Sequence, residues 1–99
     1  MNKGDSVVVI AGTRDPDFDI DIGGWCGRVA GVFSDGTVAV EWDSKTLDAM
    51  TTDAVQRAES EGLDWSQIVL LQSEVQLVPA RDTQAETEAA LKRIRAILK

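Results

Sequence analysis

The sequence predicts a mainly β domain with helical additions, and three observations carry that prediction. Five short β-branched or apolar runs are set off by turn residues; two of these runs flank an Asp-Gly pair; and residues 83–98 change to a helical period. At 99 residues the chain has room for one such core. Its 43% hydrophobic and 27% charged content is that of a globular protein, not of a chain too polar to collapse.

Residues 6–10, a Ser-Val-Val-Val-Ile run introduced by Gly4-Asp5, read as the first strand. Residues 12–24 form a long loop containing Pro16 and two closing glycines. Within it Asp15, Asp17, Asp19 and Asp21 alternate with Phe18, Ile20 and Ile22, so acids and apolar groups take opposite sides. Residues 26–33 and 37–42 are the clearest strand pair, because Asp35 and Gly36 between them tolerate the positive φ of a tight hairpin. Val38, Val40 and Trp42 share one face of the second of these strands.

From 51 to 61 the period becomes helical: Ala54, Val55 and Ala58 fall on one side, a threonine stands at the start and Gly62 at the end. Leu63-Asp64-Trp65 then leads into strands at 67–71 and 75–78, the latter stopped by Pro79. Residues 83–98 predict an amphipathic helix, with Thr83 and Glu86 as a capping box and Leu91, Ile94, Ile97 and Leu98 as the apolar stripe. Residues 1–80 therefore hold the sheet with its helical insertion, and 81–99 add a helix that packs on it or on a partner subunit. The expected core is Val7, Val9, Val29, Val38, Val40, Ile68, Leu70 and Leu77.

The charge is uneven. Residues 1–80 carry fourteen Asp and Glu against five Lys and Arg, a net −9, whereas residues 81–99 carry +2. A body of that sign repels phosphate backbones, which argues against nucleic acid as a partner. The chain has no histidine and one cysteine, Cys26. That removes the commonest general base, the usual activator of a nucleophile, and any zinc site of ordinary composition. The longest apolar run ends within five residues and no leader-like segment opens the chain, so a cytoplasmic location is expected, with no membrane partner.

Five short strands, a long loop after the first and a tight hairpin between the second and third resemble an SH3-like antiparallel barrel. The residues that carry the resemblance are Gly4-Asp5 before Val7, Gly24-Trp25-Cys26-Gly27-Arg28-Val29, and the strand ending Glu41-Trp42. KOW and Tudor-type modules share these features, as do the plasmid-borne type II dihydrofolate reductases. The reductases line a four-copy pore with a Gln-Ile-Tyr strand and a lysine. Here Gln67 and Ile68 match, but Val69 stands in the tyrosine position and Val9 in that of the lysine. The segments DPDFDIDIGGWCGRV, EWDSKTL, EGLDW and ARDT also resemble an uncharacterised family of small prokaryotic proteins.

The resemblance implies binding through the loop after the first strand. The expected function is that of a non-enzymatic interaction module whose acidic face holds a basic protein or peptide through Asp17, Asp19, Asp21, Trp25 and Trp65. The alternative is an oligomeric barrel, a homodimer in its simplest form, with a small-ligand site at the subunit interface that is open to an enzymatic role. Asp15, Asp17, Asp19 and Asp21 also supply hard oxygen ligands of the kind calcium prefers. An EF-hand frame started at Asp17 nevertheless puts Ile22 at its glycine position and Arg28 at its closing glutamate. The plainer reading of these acids is as turn caps, or as partners of Arg14 or Arg28.

Overall fold

The computed structural model describes residues 1–98. Its order is β1 (Ser6–Val9), β2 (Cys26–Val32), β3 (Thr37–Trp42), α1 (Ser44–Ala49), α2 (Thr52–Ser60), β4 (Gln67–Leu71), β5 (Val75–Leu77) and α3 (Gln84–Ile97), with a 3₁₀ turn at Gln72–Glu74. The strands form one antiparallel sheet in the order β4-β3-β2-β1-β5. With three helices beside it, the domain is mixed α/β, not mainly β.

The extra helix is α1, which the apolar pattern did not announce. Asp43, directly after β3, is its N-cap, accepting from the Thr46 backbone N–H at 2.9 Å. Only Leu47 among its residues is a large apolar group, so no periodic stripe marks so short a helix. The other two helices begin where their caps stand. Thr51 accepts from the Ala54 N–H at 3.1 Å, and Thr83 and Glu86 close a reciprocal capping box.

The β2–β3 hairpin turns at Gly36, whose φ of +90° is the left-handed conformation that glycine adopts without strain. Gly27 is required for a different reason. A Cβ there would lie 2.3 Å from the Glu41 carbonyl oxygen and 2.7 Å from Val40 Cγ1, so the two strands approach too closely for any side chain.

Val7, Val9, Val29, Val38, Val40 and Leu70 are buried together as expected, joined by Ile22, Trp42, Leu47, Val55, Ala58, Trp65, Val75 and Ala90. Ile68 is half-buried at the margin of this cluster. Leu77 is not core: it is 56% exposed, and Val75 supplies the apolar group from β5. The reason is position, since Leu77 ends an edge strand with no neighbour on its far side.

On α3 the fully buried residues are Thr87 and Ala90; Leu91, Ile94 and Leu98 are half-buried and Ile97 is 60% exposed. The helix is set against the sheet by two ion pairs. Arg28 of β2 reaches Asp82 at 2.5 Å and the Thr87 hydroxyl at 2.8 Å. The second Asp82 oxygen accepts from the Ser44 N–H at 2.7 Å and from Thr87 at 2.8 Å. Arg81 grips Asp43 with two N–H groups, at 2.8 and 2.7 Å, and reaches Thr46 Oγ1 at 3.0 Å. Thr46 in turn donates to the Cys26 carbonyl. Among the described residues no buried side-chain nitrogen or oxygen lacks a partner, the condition under which buried charge is tolerated.

Candidate functional site

Four of the five aromatic side chains converge on one cleft. It lies between the long β1–β2 loop, α2 and the β3–β4 side of the sheet, and its volume is about 180 Å³. The loop supplies Asp15, Phe18, Ile20 and Trp25; α2 supplies Ala54, Val55, Arg57 and Ala58; Trp42, Met50, Asp64, Trp65, Gln67 and Ile68 complete the wall.

Local chemistry places each contributor. Asp15 Oδ1 accepts from the backbone N–H groups of Asp17, at 2.8 Å, and Phe18, at 3.3 Å, which folds the loop so that Phe18 turns inward. Ile22, fully buried, pins the far end of the loop to the core. Trp25 lies edge-on to Trp42 with ring centroids 5.1 Å apart, an arrangement favoured by the ring quadrupoles. The Trp65 indole N–H donates to Glu59 at 2.7 Å, which ties the β4 approach to α2. Asp64 Oδ1 accepts from both the N–H and the hydroxyl of Ser66. The Arg57 guanidinium sits over the Phe18 ring, its Cζ 6.0 Å from the centroid.

Of the residues expected to make contacts, Trp25 and Trp65 line the cleft and Asp17, Asp19 and Asp21 do not. Those three acids are exposed. Asp21 accepts from the Gly23 N–H, and Asp19 pairs with Arg14 at 2.9 Å from a left-handed backbone. Arg28 belongs to Asp82, not to the loop. Among the described residues no three His, Cys, Asp or Glu side chains come together as a metal-binding group.

Phe18, Arg57 and Asp64 are cleft residues that sequence reasoning did not single out. Phe18 carried a signal, its place opposite the loop acids; Arg57 and Asp64 carried none, because only the folding of α2 and of the connection after it brings them to the cleft. Trp42 is 3% exposed and serves both readings, as core and as cleft wall.

Two titrating groups lie away from the cleft. Burial pushes the Cys26 thiol up, with Arg81 opposing and Asp43 adding to the shift, so the thiol stays protonated and unreactive. Burial also pushes Asp82 upward, but hydrogen bonds from Ser44, Thr87 and Arg28 outweigh it and hold the carboxyl down to about 2. These groups serve the fold. Among the described residues, no helix is long and apolar enough to cross a membrane.

No family model matches the chain, and no curated protein or solved structure matches it.

Proposed function

We propose that this chain is a non-enzymatic interaction module, built on an SH3-like barrel, that binds a basic peptide or protein segment in the aromatic cleft. The strand order, the long loop between β1 and β2, the tight β2–β3 hairpin and the 3₁₀ turn before β5 all support the barrel reading. One observation carries the function: Phe18, Trp25, Trp42 and Trp65 meet in an apolar cleft that also presents Asp15 and Asp64. Aromatic faces attract cations and carboxylates pair with them, so the lining and the net −9 of residues 1–80 favour the same class of ligand. A reducing compartment such as the cytoplasm suits the unpaired Cys26.

The test is a titration with a mixed Lys/Arg nonapeptide and an acidic nonapeptide of matched length, followed by tryptophan fluorescence and amide chemical shifts. The basic peptide should bind, weaken with added salt, and shift Phe18, Trp25, Trp65 and Gln67. Equal response to both peptides, or shifts confined to other surfaces, would refute the reading.

A second reading is supported by the same lining. Three tryptophans with Gln67 also suit a small-ligand site in an oligomer, and exposed Val69 and Leu71 on edge strand β4 offer a surface for a homodimer. Light scattering at high micromolar concentration separates the two, since a strictly monomeric mass removes the interface site.

A further inference from the structure

We infer that the group the cleft recognises is an arginine side chain, and that Arg57 takes the same seat in the free protein; this rests on the interaction-module reading above. The seat is defined by what already sits in it. The guanidinium of Arg57 covers the Phe18 ring at 6.0 Å, at the wall of the cleft. A planar, weakly hydrated guanidinium stacks on such a face, whereas a lysine ammonium is a compact and strongly hydrated charge.

Arg57 is held there loosely. Its side chain is 69% exposed, and its ion pair is the one with Glu61, one helical turn on at 3.5 Å. The anchors for a tighter occupant are present but unused. Asp15 and Asp64 each commit Oδ1 to a turn, and among the described residues neither Oδ2 accepts a hydrogen bond. A ligand guanidinium has five N–H donors in one plane, so it can stack on a ring and still donate to a carboxylate at the edge. The volume of about 180 Å³ left free with Arg57 in place is below that of sites for whole drug-sized molecules, and takes the stem of one long side chain whose guanidinium replaces that of Arg57 on Phe18. Displacing Arg57 would cost the ligand only an exposed cation–ring contact, about a two- to fivefold change in affinity.

The experiment uses acetylated, amidated Gly-Gly-Arg-Gly-Gly and its lysine counterpart. Each is titrated into wild type, Arg57→Ala, Arg93→Ala and Phe18→Leu, with tryptophan fluorescence and amide shifts as readouts. Arg93 lies on α3, paired with Asp48, so its removal makes the same change in net charge outside the cleft. The arginine peptide should bind more tightly than the lysine peptide. Arg57→Ala should tighten it by about two- to fivefold, Arg93→Ala should leave it unchanged, and Phe18→Leu should weaken it. If both peptides shift cleft residues equally, or if Arg57→Ala matches Arg93→Ala, the arginine inference falls and the cleft remains a general basic-peptide site. If neither peptide shifts a cleft residue in any of the four proteins, the inference falls together with the module reading.

Discussion

Replacing Asp82 by Asn tests the junction that holds the C-terminal helix to the sheet. The substitution preserves shape and removes the charge. Asp82 is 1% exposed at its side chain and Arg28 is 14% exposed, so the guanidinium would be left buried 2.5 Å from a neutral amide. Breaking one partner of a buried ion pair costs about 3–5 kcal/mol. The titration of Asp82 offers a second route to the size of the effect. Its carboxyl stands at about 2 against an ordinary value of 3.8, worth about 2 kcal/mol at neutral pH. An expected loss of about 3 kcal/mol lies between the two, and for a domain of this length it lowers Tm by at least about 12 °C.

The sign of the pH dependence follows from the depressed carboxyl. The stabilisation is fully present above about pH 4 and is lost as pH falls through about 2. Urea unfolding of wild type and Asp82→Asn, followed by circular dichroism from pH 7 to pH 2, should therefore show a wide gap at pH 7. The gap should narrow below pH 4. A difference under about 1 kcal/mol at pH 7, or one that does not change down to pH 2, would show that the Arg28–Asp82 pair is not what anchors α3.

Two further outcomes are expected. Gly27→Ala should destabilise by about 1–3 kcal/mol, since the added methyl must push β2 from the Glu41 carbonyl; denaturant midpoints measure it, and an unchanged midpoint would mean the strands are further apart than described. Calcium should give a flat calorimetric titration both in wild type and in Asp17→Asn/Asp19→Asn/Asp21→Asn, because Asp15 and Asp21 cap turns and Asp19 pairs with Arg14. A saturable heat that the triple variant loses would restore the loop as a calcium site.

What could be read along the chain was whatever neighbours in sequence decide. β-branched runs specify strands because a pleated surface accommodates them, Asp35-Gly36 specifies a hairpin because glycine reaches positive φ, and Thr83 with Glu86 specifies a helix start because the partners are three residues apart. The absence of histidine and the acidic body likewise follow from composition alone. Tertiary structure decided the rest. Arg28 and Asp82 are separated by 54 residues, so no local pattern could pair them, and the loop acids beside Arg28 in sequence were the more obvious partners. Leu77 and Val75 both read as apolar positions of one strand, and only the packing around the two ends of β5 buries Val75 and exposes Leu77. The cleft is the extreme case: Phe18 and Trp25 come from the β1–β2 loop, Trp42 from β3, Arg57 from α2 and Trp65 from the approach to β4. They form a surface only because the core pins the β1–β2 loop through Ile22 and packs α2 against it.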